Sequence, residues 1–264
     1  MLEINNIYKT FNPGTVNEKV ALNGVSLKLN DGDFVTVIGG NGAGKSTLLN
    51  AVAGTWKVDE GSILIDGIDV TKMQDYKRAK FLGRVFQDPM MGTVPTMGID
   101  ENLALAARRG KFRGLAREIT AKERAGFKEI VKILDLGLED RLTSKVGLLS
   151  GGQRQAVTLL MASLKKPKLL LLDEHTAALD PKTAAKVLDA TETIVNRDHL
   201  TTLMITHNMK DAIAHGNRLI MMKDGKIILD ISGEEKKNLT VEELLEKFNS
   251  VGGEDVVNDR MILG

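Results

Sequence analysis

Gly39-Gly40-Asn41-Gly42-Ala43-Gly44-Lys45-Ser46 lies between an apolar run, FVTVI (Phe34 to Ile38), and a helix-forming stretch, STLLNAVAG (Ser46 to Gly54). It fits the pattern G-x-x-x-x-G-K followed by Ser or Thr in full. Strand, loop and helix stand in the order which that pattern requires. The glycines let backbone N–H groups close around phosphate oxygens where side chains would block the approach. A helix starting near Lys45 turns its positive end toward the same point. The Lys45 ammonium then reaches β- and γ-phosphates, and the Ser46 hydroxyl is a ligand for Mg²⁺.

Two further stretches acquire meaning beside this loop. Leu169 to Leu172 is an apolar strand that ends in Asp173-Glu174. Successive strand residues point opposite ways, so Asp173 is placed to hold the metal shell and Glu174 to face an attacking water. Phosphoryl transfer needs both. Alone, a strand ending in two acids is common. Leu149-Ser150-Gly151-Gly152-Gln153 opens a helical pattern, RQAVTLLMASL. Ser150 is a plausible N-cap, and the helix start is a second anion-accepting site. One chain does not obviously need two cradles for one nucleotide, so in isolation this reads as an ordinary cap.

The remaining sequence sets the frame. The chain has 264 residues, enough for one large α/β domain with an inserted subdomain. Lys plus Arg number 36 against 35 for Asp plus Glu, a balance that argues against a duplex-DNA binder; no nucleic acid is expected as a partner. There are 0 cysteines, which excludes disulfides and thiolate metal sites. The start, MLEINNIYKTF, lacks a signal-peptide pattern. No apolar run reaches the roughly 18 residues that span a bilayer, so membrane association would come through a partner.

Residues 1–70 read as strands joined by tight turns, with Asp31-Gly32 and Asp66-Gly67 as two-residue turns. Helical patterns dominate about 98–165. The short apolar runs at Leu169 to Leu172 and Thr202 to Thr206 lie between helical segments and predict a parallel core sheet. Asn217 to Leu229 reads as a hairpin around Asp224-Gly225. Thr240 and Glu243 form a capping box for a helix to about Phe248, with a tail over 249–264.

Taken together, these motifs resemble the ABC ATPases. Leu149 to Gln153 is identical to their LSGGQ signature. Gln87 in VFQDP resembles the Q-loop, Ala178-Leu179-Asp180 the D-loop, His207 in MITHNM the switch histidine, and Phe11 in YKTF the aromatic that stacks on adenine, with Tyr8 the lesser choice. The resemblance covers about residues 2–248. It implies an α/β fold, a P-loop NTPase of the ABC type with an antiparallel β-subdomain and a helical subdomain inserted at about 88–165. It implies ATP and Mg²⁺ as ligands. Phe11, Gly39, Gly40, Asn41, Gly42, Ala43, Gly44, Lys45, Ser46 and Thr47 would contact the nucleotide. Ser46, Gln87 and Asp173 would attend the metal, and Glu174, His207 and Gln87 the chemistry. Ser150, Gly151, Gly152, Gln153 and Asp180 would complete the site of a second copy, because in this family two domains pair head to tail. Homodimerisation or pairing with a similar subunit is therefore implied. So are permease subunits, an extracytoplasmic binding protein and a place on the cytoplasmic face of the membrane.

Departures from the family pattern also stand out. His175 replaces the usual proline after Glu174, Ala177 or Ala178 the usual D-loop serine, and Asn217 the usual aspartate before Arg218. DEHTAALDP and AHGNR resemble a bacterial subgroup encoded beside amino-acid-type permeases, some assigned to uptake of tryptophan or other aromatic compounds. Arg108, Arg109, Lys111, Arg113 and Arg117 form a basic cluster, expected to be a solvated face; contact with a permease or anionic lipid is the alternative. A soluble ABC ATPase of the iron–sulfur-assembly kind and an exporter motor are the rival functions.

Overall fold

The computed structural model describes residues 1–110 and 119–252. Along the chain run β1 (Leu2–Phe11), β2 (Lys19–Leu29), β3 (Phe34–Ile38), α1 (Lys45–Ala53), β4 (Glu60–Ile65), β5 (Ile68–Asp69), α2 (Asp75–Arg78) and β6 (Leu82–Val85). There follow α3 (Ile99–Ala107), α4 (Ala121–Lys132), α5 (Gly151–Ser163), β7 (Leu169–Asp173) and α6 (Pro181–Asp198). The chain continues through β8 (Thr202–Ile205), α7 (Met209–Ala214), β9 (Arg218–Lys223), β10 (Lys226–Ser232), α8 (Gly233–Lys237) and α9 (Val241–Gly252).

The strands divide between two sheets. One is antiparallel, in the order β2-β1-β4-β5. The other runs β10-β9-β3-β8-β7-β6; it is parallel from β9 to β6, with β10 added antiparallel at the edge. The predicted parallel core sheet is thus present. Alternation along its strands sorts side chains to two faces. Val35, Val37, Leu169, Leu171, Leu203 and Ile205 pack with α1 and the antiparallel sheet. Leu170, Leu172 and Met204 pack on the other face with α5, α6 and the helical stretch between β6 and β7. Burial on both faces is why these strands are apolar throughout.

Two of the expected turns close hairpins. Asp66 and Gly67 both have positive φ (53° and 75°), as do Asp224 and Gly225 (47° and 73°), the backbone that a two-residue hairpin demands. The Asp31-Gly32 turn forms, with the Asp33 amide donating to Asn30 O at 3.2 Å, but it closes no hairpin. It passes the chain from one sheet to the other: β2 pairs with β1, whereas β3 pairs with β8 and β9. The Thr240–Glu243 box is made, with each backbone amide donating to the other side chain at 3.0 and 3.2 Å. The helix it starts, expected to run to about Phe248, continues to Gly252. No glycine or proline interrupts the pattern before Gly252.

Candidate functional site

β3 delivers the chain to Gly39 at the end of a buried strand. A side chain there would place its Cβ 2.2 Å from Met222 O, and φ is 149°. At Gly44, φ is 102° and a Cβ would stand 2.4 Å from Ala21 O. Only glycine fits both places. α1 then begins at Lys45 with no side chain capping its first turn. Its leading N–H groups are therefore presented to an anion. The Lys45 ammonium folds back over the loop, donating to Gly39 O at 2.7 Å and Gly40 O at 3.2 Å. Burial pulls its pKa down, opposed by the charges of Glu174 and Asp173. A cavity of about 330 Å³ is bounded by Phe11 and Lys19 on the β1–β2 ribbon, by Asn41 to Thr47, and by Glu174.

The two acids leave β7 in different settings. Burial pushes the Asp173 carboxyl up, and the Arg84 guanidinium, 3.4 Å from Oδ2, pulls it back. Glu174 has φ 45°, a left-handed conformation that side chains seldom adopt and that recurs at functional sites. Its amide donates to Ile205 O at 3.0 Å, which ties the turn to β8. His207, just beyond β8, places Nδ1 3.8 Å from Glu174 Oε2. That is long for a hydrogen bond, yet the histidine's approach is the largest influence holding the Glu174 carboxyl below its usual value, with burial opposing.

Not every expected residue reaches this cavity. Ser150 Oγ accepts from the Gln153 amide at 3.3 Å while Gln153 Oε1 accepts from the Ser150 amide at 3.1 Å, a reciprocal cap on α5. Asp180 caps α6 by accepting from the Thr183 amide at 3.1 Å. A Cβ on Gly152 would meet Thr183 Cγ2 at 1.9 Å, so the starts of α5 and α6 lie side by side. None of these residues lines the cradle, and neither does the exposed Gln87. His207 borders a separate cavity of about 340 Å³ with Thr206, Asn208, Ala177 and Leu179.

Sequence patterns from known proteins agree with this geometry. The ABC transporter family pattern matches residues 22–177. The tyrosine transport ATP-binding protein of Clostridioides difficile is 47% identical over 94% of this chain and 98% of its own length. This chain belongs to the ABC transporter family. The bacitracin export ATP-binding protein of Halalkalibacterium halodurans is 30% identical over 98% of this chain and 99% of its own. A dimeric post-hydrolysis state of an ATP-binding cassette bound to ADP and Pi superposes with a TM-score of 0.74 at 31% identity, covering 88% of this chain and 98% of that one. The ADP conformation of another ABC transporter cassette gives 0.74 at 29% identity, covering 96% and 99%. The ABC-type α/β fold and the role of ATP-binding, ATP-hydrolysing subunit follow. Among the described residues no helix is long and apolar enough to cross a membrane.

Within the ABC transporter frame, several residues matter that motifs did not flag. Arg84 on β6 donates to Asn50 Oδ1 at 2.9 Å and Thr55 Oγ1 at 3.2 Å as well as facing Asp173. Gln155, fully buried on α5, donates to Phe86 O at 2.7 Å and so joins the signature helix to the strand exit before Gln87. Their partners lie far off in sequence, so no local pattern reveals them. Two of the departures also find physical accounts. His175 is buried, its Nε2 3.1 Å from Thr191 Oγ1; burial, helped by nearby His215, lowers its pKa to about 4. Asn217 accepts from the Phe34 amide at 2.8 Å and donates to Asp33 Oδ1 at 3.2 Å. An aspartate there would set two carboxylates together, so the amide suits this chain. In the basic cluster, Arg108 and Arg109 are half-buried rather than fully solvated: Arg108 pairs with Glu123 at 3.2 Å, and burial pulls the Arg109 pKa down; Lys111, Arg113 and Arg117 lie outside the described residues.

Proposed function

We propose that this chain powers an importer for an aromatic or related amino acid. The observation that carries this reading is the 47% identity, along nearly the full length of both chains, to a tyrosine transport ATP-binding protein; the bacitracin export protein stands at 30%. The chain would sit on the cytoplasmic face of the membrane, held by permease subunits that an extracytoplasmic binding protein supplies with cargo. Residues 1–248 would act as the ATPase domain, with the helical stretch at about 88–165 meeting the permease.

The chemistry assigned to the site follows from its charges. The triphosphate lies along Gly39 to Thr47, its γ-end at Lys45, its base toward Phe11. Glu174, kept ionised, accepts a hydrogen bond from the attacking water and orients it in line with the γ-phosphorus. His207 holds Glu174 and approaches the γ-phosphate. Ser150, Gly151, Gly152, Gln153 and Asp180 of a second copy close the open side. Among the described residues, no group of three or more His, Cys, Asp or Glu gathers to bind a metal alone. Ser46 and Asp173, with Gln87 brought in from outside the cavity, would instead offer a sparse set of hard oxygens, which fits Mg²⁺ bound together with phosphate oxygens. When bound, Mg²⁺ neutralises charge on those oxygens.

Uptake of labelled tyrosine, tryptophan and phenylalanine in a strain lacking this chain tests the reading. Wild-type chain should restore uptake of at least one of them, and Glu174→Gln should not. Uptake that is normal without the chain would overturn the cargo assignment.

A further inference from the structure

Trp56 is the chain's single tryptophan, and no motif accounts for it. It sits just past α1, the helix whose other end forms the phosphate cradle. Gly54 ends α1 in the left-handed conformation at φ 84°. The amides of Thr55 and Trp56 then both donate to Asn50 O, at 3.0 and 3.3 Å. This cap aims the indole at β1, where its ring centroid lies 4.9 Å from that of Phe11 at an interplanar angle of 78°. That is the edge-to-face arrangement that aromatic quadrupoles favour.

Phe11 is the last residue of β1 and forms one wall of the cradle cavity. A ring at a strand end has few neighbours to hold it. Here the segment after α1 supplies them. Asp59 pairs with the Lys9 ammonium at 2.7 Å and accepts from the Thr10 amide at 2.7 Å. The Asp59 amide donates to Tyr8 O at 2.8 Å. Lys9 Nζ stands 5.6 Å from the Phe11 ring centre. Residues 54–59 thus bind the end of β1 to the end of α1, with Trp56 as the part that touches the Phe11 ring.

We propose that Trp56 is a positioning residue for the base of the nucleotide: packed edge-on against Phe11, it holds that ring as the surface on which the base stacks. The inference rests on the reading of Phe11 as the base platform. α1 then carries both halves of nucleotide recognition. Its N-terminus takes the phosphates, and the turn beyond its C-terminus sets the platform for the base. Because Trp56 is 37% exposed, changing it need not disturb the core.

Calorimetric binding of Mg·ATP and of Mg·tripolyphosphate, which has no base, separates the possibilities. With Trp56→Leu, which keeps apolar cover but removes the ring, ATP affinity should fall by about three- to tenfold. Tripolyphosphate affinity should not change. Trp56→Phe should recover most of the loss. In steady state KM for ATP should rise with kcat unchanged, and in the wild type ATP but not tripolyphosphate should alter tryptophan emission. Equal losses for both ligands would mean general damage to the cradle and would overturn the proposal, as would no loss for either. Phe11→Ala distinguishes the two layers. If it leaves ATP affinity intact, the platform reading fails and takes this inference with it. If it weakens ATP while Trp56→Leu does not, the inference about Trp56 alone is wrong.

Discussion

Charges decide this site residue by residue, and each is held by a different balance. Lys45 is buried among backbone carbonyls but sees both Glu174 and Asp173. Asp173 has Arg84 for a counter-charge, and Glu174 has the His207 ring 3.8 Å away. Lys236 shows the other limit. Its side chain is buried, and its ammonium donates to the carbonyls of His215 and Gly216. Burial lowers its pKa to about 8, with Glu192 opposing. The unfolded chain, near 10.5, then binds more protons than the folded one between pH 8 and 10.5. Where the unfolded state binds more protons, stability rises with pH. Wild type should therefore gain on Lys236→Met, which cannot titrate, as pH rises through that window, by roughly 2–3 kcal/mol at its upper end. Urea unfolding of both chains from pH 7 to 10 measures the difference; a constant gap would refute the assignment. Lys45, Asp173 and Glu174 were legible in the sequence because each occupies a local pattern with a chemical reason. Lys236, Arg84 and Trp56 were not, because what they touch is brought to them only by the fold.

Among the elements, α1 carries the most, and its C-terminal end depends on one buried cation. Arg78 is 1% exposed. Its guanidinium donates to Ala51 O at 2.7 Å and Val52 O at 2.9 Å, in the last turn of α1, and to Met73 O at 2.9 Å and Thr71 O at 3.0 Å. A cation suits the negative end of a helix; without it Ala51 O would keep only the Gly54 amide at 3.2 Å, and the Val52, Met73 and Thr71 carbonyls would lose their partner. Arg78→Met should destabilise the fold by about 2–4 kcal/mol, chiefly through those orphaned acceptors. Arg78→Lys should recover part of that. Denaturant midpoints give the values, and a loss below about 1 kcal/mol would show that water satisfies the carbonyls instead. In sequence, Arg78 looks like one more charge in a polar stretch, DYKRAK. The elements themselves were better marked. Apolar runs, paired Asp-Gly turns and the Thr240 cap each carry their reason locally. The turn at Asp31-Gly32 was equally visible, but a turn does not say which sheet the next strand joins. That choice belongs to β3, whose residues are buried on both faces and suit only the parallel core.

At the scale of the whole molecule, the proposed head-to-tail pairing makes the cradle half of a site. Its cavity is walled by Phe11, the glycine loop and Glu174, while the signature residues stand at the start of α5, beside α6, and line no part of it. The similar cassette bound to ADP and Pi is dimeric. If two copies pair head to tail, each glycine loop meets the other copy's Ser150. Lys45→Ala removes a charge-assisted contact to phosphate, and Ser150→Arg fills the facing position with a bulky cation. Each variant alone places a defect in both sites of its dimer. In a mixed dimer both defects fall into one site, between the altered loop and the altered signature, and the other site is intact. With random pairing and independent sites, roughly a quarter of the wild-type hydrolysis rate should return on mixing two nearly inactive proteins. Co-expression with two affinity tags yields the mixed dimer directly, and phosphate release measures its rate. A pure mixed dimer as inactive as its parents would mean that the signature does not serve its partner's nucleotide, and the second helix start at Ser150 would then be only the cap that it forms within its own chain.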